Sequence, residues 1–494
     1  MSAPAPGTRN GDRRRRAGWI LGAAGLALLL TVQGLRDPDV WWHLAVGRLI
    51  AHGGIPAVEP FAFLPANRWA GQEWGFELLL NRLVSLGGAG LASVVMGLLS
   101  ATAFAVAVLA VPARERVPGP ARAAGLLLGT AVAAQVLGVR AQVISVLGFA
   151  VTLLLLTRWR DGHRRSVWLL PPLILVWVNL HAGVVAGLAL IIAVLATSAA
   201  LRLAHRDRSK APLRPLAGAL ALSVVATLVN PAGPRLWPYI LATLTSPAQR
   251  SGIVEWQSPD FHNPWLRLLE LSVFCLVALW MVGPRPDPLD VVLVGGGLVA
   301  TLQAQRNVSL LAVLLAVQLA RYGAAEWQRR AAPRFRIRPG GLALAAGCLV
   351  LLLSLGASGA ARLPLASGAR EEARAWPQQA ATYLADRHAG ERVYSIYEWG
   401  GYLCYRLPAR RAVFLYGEAG VFGDEDLSRY LEIHLVGKHW QQELSKDGMR
   451  LALVPDASQE STALREIGWR ELYHDATAGA VVLAAPGQPP TPAV

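Results

Sequence analysis

The chain has 494 residues, of which 54% are hydrophobic and 16% charged, with a formal net charge of +15. Its apolar residues gather in long blocks separated by short Arg-rich segments, the pattern of a polytopic membrane protein. The arginines stand at the ends of apolar blocks, and no basic stripe is interleaved with aromatics, so a nucleic-acid partner is not expected. Three cysteines (Cys275, Cys348 and Cys404), two of them in apolar segments, provide neither a disulfide framework nor a thiolate metal site.

The N-terminus places a basic run, residues 13 to 16, before an apolar block. This order resembles a signal peptide, but no clear small-residue cleavage site follows and the block leads straight into an acidic loop. We therefore predict a cytoplasmic basic segment (1–16) followed by an uncleaved first span.

Blocks of bilayer-spanning length predict a polytopic α-helical membrane domain (17–360) with about 11 transmembrane helices. They lie near residues 17–34, 89–111, 121–138, 142–157, 167–180, 182–203, 215–230, 266–283, 288–304, 307–321 and 340–358. Every second loop is rich in arginine, which predicts a cytoplasmic N-terminus. The first outside loop (35–88), the loop 231–265 and everything after the last span then face outward.

The C-terminal region changes character and predicts a small extracytoplasmic α/β domain (361–485) followed by a disordered tail (486–494). Helix-like patterns cover 371–388, 424–434 and 459–467. Short apolar strands are predicted at 392–396, 412–415, 450–454 and 480–484. Gly400 and Gly401, directly after Trp399, predict a turn.

Carboxylates and tryptophans crowd the first outside loop. Asp37 and Asp39 flank a proline at the end of the first span, and the apolar spacing that follows predicts an amphipathic helix with its tryptophans at headgroup depth. A second helix, beginning near Gly71, carries Glu73 and Glu77 on one face. We expect these two interfacial helices to bracket an acidic pocket.

A carboxylate in this pocket could act as a general base or bind a cation. The alternative is that the acids solvate the loop or pair with nearby arginines. The candidate catalytic residues are Asp37 and Asp39, then Glu73, with Trp42 and His43 as candidate substrate-binding residues of the same loop. Glu59 and Glu77 are closer to a structural role.

Polar residues also recur in tight turns at the same predicted outer face. The substrate-binding candidates there are Arg140, Gln142, Asn179, His181, Arg306 and Asn307. A phosphate suits the forked donors of Arg140 and Arg306, although an internal ion pair with the loop acids would also satisfy them. His181 could bind a metal, but a lone histidine beside an asparagine more often orients a neighbour by hydrogen bonding. The loop 254–264 adds Glu255 and Asp260 beside aromatics, either as the wall of a sugar site or as loop decoration.

This arrangement resembles the type C (GT-C) integral-membrane glycosyltransferases. The segments DPDVWWHLAVGRLI, EPFAF, QEWGFELL, VNLHAG, EWQSPDF and YEWGGYL also resemble uncharacterised bacterial membrane proteins associated with that superfamily. The resemblance implies a polyprenyl-phosphate-linked sugar donor, such as an undecaprenyl-phosphate sugar. It matches Asp37 or Asp39 to the acid that activates the acceptor, and Arg306 or Arg140 to the group that holds the donor phosphate. No strong third acid stands beside the aspartates, which leaves a divalent metal open.

The favoured hypothesis is an inverting glycosyltransferase of the bacterial inner membrane that acts at the outer face, in contact with membrane lipid, on an unidentified acceptor. One alternative is a non-catalytic component of polysaccharide export or assembly, which would use the same acids and arginines as internal pairs. Another is a lipid-linked glycan polymerase or ligase.

Overall fold

The structure is a computed structural model that describes residues 6–330 except 66, 208 and 210, then 374–408 and 411–487. The side chains of residues 6–13 and 330 are not part of the description. The predicted last span (340–358), the basic residues 334–338 before it, the predicted boundary at 360 and most of the predicted tail lie outside the described residues.

The helices that precede residue 331 were mostly expected from the apolar blocks. They are α1 (Pro6–Thr31), α2 (Asp39–Gly53), α3 (Trp74–Leu109), α4 (Gly119–Ala133), α5 (Gln142–Arg160), α6 (Leu170–Val178), α7 (Val184–Leu203), α8 (Leu213–Ala226), α9 (Leu236–Thr245), α10 (Pro247–Gly252), α11 (Pro264–Val282), α12 (Pro288–Gln303) and α13 (Val308–Arg330). After the undescribed segment come α14 (Gln378–Arg387), α15 (Tyr397–Arg406), α16 (Ala419–His434), α17 (Trp440–Ser445) and α18 (Gln459–Glu466).

A helix occupies each predicted span that falls on described residues. Among the described residues, five helical segments are long and apolar enough to cross a membrane: Trp74–Leu109, Gln142–Arg160, Val184–Leu203, Pro264–Val282 and Gln305–Arg329. Three shorter apolar helices, Ser166–Val178, Leu213–Ala226 and Pro288–Gln303, accompany them within the described ranges. The chain is thus a mostly helical membrane protein, and the number of about 11 spans stays a prediction.

The chain divides into two compact units. Within the described residues, unit 1 comprises 6–33, 93–229 and 255–330, and unit 2 comprises 34–92, 230–254 and the described residues from 374 to 487. Unit 2 therefore groups most of the first outside loop with the C-terminal residues. The domain boundaries given above remain predictions.

Helix α13 forms the centre of unit 1, since its residues from Leu311 to Val317 are at most 4% exposed. Gly125 and Gly129 of α4 lie directly against Ala316, where a Cβ on either glycine would overlap backbone or side-chain atoms. Small residues let helices approach closely in membrane proteins. Near the end of α13, Arg321 pairs with Glu115 and Asp290, so these buried charges are compensated inside the unit.

Unit 2 contains a four-stranded sheet of β1 (Val393–Ser395), β2 (Leu451–Pro455), β3 (Arg470–Asp475) and β4 (Ala480–Ala484). The order is β1-β2-β4-β3, with β1 and β2 parallel and the other pairs antiparallel. Strands β1, β2 and β4 match predicted strands. The predicted strand 412–415 is wrong, because Val413 makes only isolated bridges to Ala62 and Val393. The edge strand β3 escaped prediction because its sequence, RELYHD, is polar and largely exposed.

The predicted turn at Gly400 and Gly401 is also wrong, because both residues lie inside helix α15. The glycines serve close packing instead: a Cβ on Gly400 would collide with the carbonyl oxygen of Leu415. Helix α15 packs on α2, and Tyr402 meets Trp41 edge to face at 4.9 Å. The second predicted interfacial helix begins at Trp74 and continues past a kink at Gly87 and Gly88 as α3.

Replacing Gly400 with alanine should destabilise unit 2, since the new Cβ must displace backbone of the 415 segment. Overpacking of this kind costs about 1–3 kcal/mol. The thermal midpoint of the purified protein measures the effect. Gly295→Ala is the control, because Gly295 sits in helix α12 with open space at its Cβ. Equal midpoints for Gly400→Ala and wild type would show that the Leu415 carbonyl oxygen does not pack closely against Gly400.

Candidate functional sites

Unit 2 contains an acid cluster made of His43, Gln72, Glu73, Glu77, Tyr239 and Glu418. The His43 imidazole lies between two carboxylates: its Nε2 is 3.6 Å from Glu73 Oε2, and its Nδ1 is 3.8 Å from Glu77 Oε1. Glu77 is 1% exposed, whereas the Glu73 side chain is 12% exposed. Glu73 is therefore the carboxylate of this pair that solvent and ligands reach more easily.

Glu418 completes the cluster from the segment that precedes α16. Its carboxylate accepts a hydrogen bond from the Tyr239 hydroxyl and a longer one, 3.4 Å, from Gln72 Nε2. Burial raises the pKa of Glu418 from 4.5 to about 7, although the two hydrogen bonds favour the ionised form. A carboxyl group with this pKa can hold or release a proton near neutral pH.

Asp37 and Asp39 lie where the chain enters α2. Asp37 Oδ1 accepts a 2.8 Å hydrogen bond from the Asp39 backbone N–H, and Asp39 Oδ1 accepts one of 3.0 Å from Trp42 Nε1. Gly417 lies against this pair, since a Cβ there would collide with Asp39 Oδ1 and Trp42 Nε1. Asp39 is thus held by a side chain of its own helix and by the segment that carries Glu418.

The tryptophans of α2 are packed inside unit 2, and their position at headgroup depth stays a prediction. Trp41 and Trp42 are 5% and 3% exposed. Trp41 contacts the rings of Trp376 and Tyr402. The ring centroids of Trp42 and His43 are 3.7 Å apart. Both rings therefore position α2 and its polar side chains.

Glu59 has a structural position, as expected. Its carboxylate accepts hydrogen bonds from the backbone N–H groups of Phe61 and Ala62 and from the Tyr416 hydroxyl. Burial nevertheless raises the pKa of Glu59 above its ordinary value. The residue thereby fixes the loop that follows α2.

The acid cluster does not have the form of a metal site. The two carboxylates approach opposite nitrogens of His43, so the three groups do not converge on one point. Across the described residues, no group of three or more His, Cys, Asp and Glu side chains could hold a metal ion.

Unit 1 contains an arginine cluster made of Arg140, Gln142, His181, Glu255, Trp256 and Arg306. Arg140 forms an ion pair with Glu255. The Arg306 guanidinium lies 4.5 Å above the Trp256 ring, and Gln142 Nε2 donates to the Arg306 carbonyl oxygen. Burial opposes ionisation of Glu255, but the charges of Arg140 and Arg306 outweigh it and lower the pKa of that carboxyl.

His181 belongs to the same cluster as a neutral hydrogen-bonding group. Its Nδ1 lies 2.5 Å from Ser145 Oγ and accepts from the Gly183 N–H at 3.2 Å. Burial and the positive charges of Arg306 and Arg140 lower the pKa of His181 to about 3. This agrees with the expectation that His181 orients a neighbour, and here the neighbour is Ser145.

Three candidates from the sequence have local partners outside this cluster. Asn179 donates to the carbonyl oxygens of Leu175 and Val229. Asn307 donates to the carbonyl oxygen of Ala300. Asp260 accepts from the exposed His262, which favours loop decoration. These hydrogen bonds connect helix ends in the case of the two asparagines and residues of one loop in the case of Asp260.

Glu418, Tyr239 and Gln72 were missed from the sequence. Gln72 and Glu418 are separated by 346 positions, and no spacing rule connects residues so far apart. The available signal was a lone glutamate in the apolar-aromatic stretch FLYGEAG, where an acid needs a partner if it is buried.

The raised pKa of Glu418 makes a testable link between pH and stability. The folded state holds the proton more tightly than the unfolded state, so the stabilisation is complete below about pH 4.5 and is lost as pH rises through 7. The loss is at most about 3 kcal/mol. In the wild-type protein this loss lowers the thermal midpoint between pH 5 and pH 8. Glu418→Gln should remove the part of the fall that comes from Glu418.

The exposed Glu425 offers a matched control, because Glu425→Gln removes one carboxylate from α16, the helix that Glu418 directly precedes. Tyr239, Gln72, Glu77 and Tyr416 face Glu418 and stay unchanged in both variants. A Glu418→Gln protein whose midpoint falls with pH as steeply as wild type would contradict the assignment.

Comparison with known proteins rests on structure. No protein-family model matches the chain, and no curated protein matches it in sequence. The archaeal oligosaccharyltransferase AglB from Archaeoglobus fulgidus, solved with an inhibitory peptide and a dolichol-phosphate, superposes with a TM-score of 0.55 at 12% identity, over 96% of this chain and 75% of that chain. An oligosaccharyltransferase structure from the same organism with Zn and sulfate gives 0.51 at 12% identity, over 94% and 73% of the two chains.

A third similar structure is ArnT from Cupriavidus metallidurans in the apo state. It superposes with a TM-score of 0.50 at 14% identity and covers 97% of this chain and 98% of that chain. The match therefore extends over nearly the full length of both proteins. The chain has the fold of the type C (GT-C) integral-membrane glycosyltransferases, as its sequence motifs implied.

Proposed function

We propose that the chain is a membrane glycosyltransferase that moves a sugar from a polyprenyl-phosphate donor to an extracytoplasmic acceptor. The observation that carries this proposal is the fold, which covers nearly all of the chain and is that of AglB, a protein solved with a dolichol-phosphate. The arginine cluster and the acids at the start of α2 supply the two kinds of group that the reaction requires. The proposal places the protein in the bacterial inner membrane with a cytoplasmic N-terminus.

Arg306 is the first choice for the donor phosphate. Its guanidinium lies over the Trp256 ring and forms no ion pair with any carboxylate that the structure describes. Arg140 is already paired with Glu255. It adds positive charge beside Arg306, and it can bind the phosphate itself once its ion pair with Glu255 rearranges. A planar guanidinium presents two parallel donors to phosphate oxygens, and positive charge there stabilises the phosphate as it departs.

The reaction is an inverting displacement at the anomeric carbon. The acceptor oxygen attacks this carbon while the bond to the lipid phosphate oxygen breaks, and the acceptor proton passes to a carboxylate. Asp39 or Asp37 is that base, and the polyprenyl phosphate leaves as the anion. Glu73, the more accessible carboxylate of the acid cluster, is the candidate for binding acceptor hydroxyls beside His43.

Turnover by the purified protein tests the proposal. The full chain in detergent micelles or liposomes is incubated with a panel of polyprenyl-phosphate sugars and a membrane-glycan extract as acceptor. Release of polyprenyl phosphate that depends on both donor sugar and acceptor supports a transferase. Growth of a lipid-linked chain would instead indicate a polymerase, and folded protein that neither binds nor cleaves any donor would indicate a non-catalytic envelope component.

A further inference from the structure

We propose that unit 2 has a saccharide-binding groove remote in sequence from the acids and arginines used above. This tyrosine groove has a volume of about 580 Å³ and is lined by Tyr473 of β3 and by Gln378, Gln379, Thr382, Tyr383, Asp386 and Arg387 of α14. Ligand sites commonly have volumes of about 300–1,000 Å³. The groove is therefore large enough for a small oligosaccharide.

A ladder of two stacked rings, Tyr383 and Tyr473, forms the aromatic side of the groove. Their ring centroids are 4.8 Å apart with an interplanar angle of 16°, and His388, outside the groove lining, lies 5.5 Å from Tyr383. The Tyr473 hydroxyl is 3.4 Å from Gln379 Oε1, which limits rotation of the last ring. Tyr473 stands on β3, the edge strand of the sheet. A ring held in this way is a preorganised flat surface for the C–H face of a sugar.

Polar groups of α14 follow the ring ladder at the spacing of one helix face. Gln378, Thr382 and Asp386 are four residues apart, so their side chains lie in a row. Thr382 Oγ1 already donates to Gln378 O and accepts from Arg406. Within the described part of the chain, no hydrogen bond or ion pair engages the Gln378 amide or the Asp386 carboxylate. These two groups can therefore bind hydroxyls, as donor and acceptor respectively.

The lining selects against other ligand classes. A phosphate-bearing ligand would need a concentration of positive charge, whereas the groove sets one arginine, Arg387, against one carboxylate, Asp386. An acyl chain would need an aliphatic wall, and the lining consists of amides, a hydroxyl, charged groups and tyrosines. Uncharged sugar rings, with hydroxyl edges and apolar faces, fit both the aromatic and the amide elements.

Saturation-transfer NMR on the full chain in micelles tests the groove with maltose, cellobiose, mannobiose and chitobiose as probes. At least one disaccharide should bind saturably, and Tyr473→Ala should weaken it about tenfold because the flat surface is removed. Tyr473→Phe should keep binding, since it retains the ring. Asp386→Asn, an exposed change that leaves the helix intact, should weaken binding by removing a charged acceptor.

His474→Ala is the matched control, because the neighbouring side chain on β3 points to the other side of the strand and contacts Asp456. It should bind like wild type. The proposal is overturned if none of the four disaccharides binds saturably up to about 10 mM, or if Tyr473→Ala and Asp386→Asn both bind a disaccharide as tightly as His474→Ala. Donor turnover plays no part in this measurement, so its outcome is independent of the proposed transferase activity.

Discussion

Arg306→Ala is expected to abolish most donor binding while leaving the fold intact. A hydrogen bond to a charged group contributes about 1.5–3 kcal/mol, and the forked guanidinium can make two of them. Loss of about 3 kcal/mol corresponds to a dissociation constant for the polyprenyl-phosphate donor about 100-fold higher. Equilibrium binding of a labelled donor to the purified variant gives this value directly. Because phosphate contacts also stabilise the leaving group, kcat/KM should fall at least as far.

The choice of Arg306 over Arg140 follows from their partners. Removing Arg140 would leave Glu255 without its ion pair, which by itself destabilises a protein, so a loss of activity there would have two explanations. Arg306 stacks on Trp256 and lies in a short 3-10 helix, Gln305–Asn307. Its removal therefore leaves the Arg140–Glu255 pair in place.

Two further variants make the Arg306 result specific. Arg306→Lys keeps the charge but loses the fork, so donor affinity should fall between those of wild type and Arg306→Ala. Arg158→Ala removes an exposed arginine from the opposite end of α5 from Gln142 and should bind donor normally. Wild-type donor affinity in Arg306→Ala would remove this residue from the phosphate site.

The sequence placed Arg140, Gln142, His181 and Arg306 at one predicted outer face because they end apolar blocks, whereas Glu255, the partner of Arg140, was assigned to a separate loop. A charged residue in a tight turn between two spans must lie near the bundle end, and several such turns at one predicted face imply proximity. The structure brings Arg140, Gln142, His181, Glu255 and Arg306 together in this way. Asn179 and Asn307 shared the pattern, but amides also satisfy backbone carbonyls at helix ends, and that is what they do.

The acid cluster was predicted only in part, since half of it comes from distant segments. The spacing of Glu73 and Glu77 placed both acids beside α2, whereas Tyr239 and Glu418 reach the cluster from elsewhere in the chain. The same reason applies to Trp41. The sequence of α2 alone does not show that Trp376 and Tyr402, more than 300 positions away, pack against its ring. Local pattern identifies an amphipathic helix, but only tertiary structure shows what covers its apolar face.

The errors in the C-terminal region have local causes. Paired glycines usually break a helix, yet in α15 the absence of a Cβ on Gly400 allows the Leu415 carbonyl to pack against the helix, and this tertiary contact outweighs the low helix propensity. The edge strand β3 needs no alternating apolar face because one edge is unpaired, so its polar sequence resembled a loop. Buried strands β2 and β4 were found because their sequences are continuously apolar.

Asp39→Asn is expected to lower turnover about 10²- to 10⁴-fold while donor binding stays unchanged, since a general base contributes rate acceleration of this size. The asparagine oxygen can still accept the hydrogen bond from Trp42 Nε1, so the start of α2 should keep its geometry. The variant therefore removes the basicity of the side chain and keeps this hydrogen bond. Steady-state release of polyprenyl phosphate, measured with donor binding and thermal midpoint on the same preparation, checks each part.

Asp37→Asn distinguishes between the two candidate bases. Its side-chain oxygen would still accept from the Asp39 N–H, so this variant also preserves the local fold and differs from Asp39→Asn only in which carboxylate is lost. If Asp37→Asn alone loses turnover, Asp37 is the base and Asp39 positions Trp42 and the Gly417 segment. Glu425→Gln, an exposed change on α16, should leave turnover at the wild-type level. Full turnover in both aspartate variants would rule out a base at the start of α2 and would make Glu73, the more accessible carboxylate beside His43, the next residue to substitute.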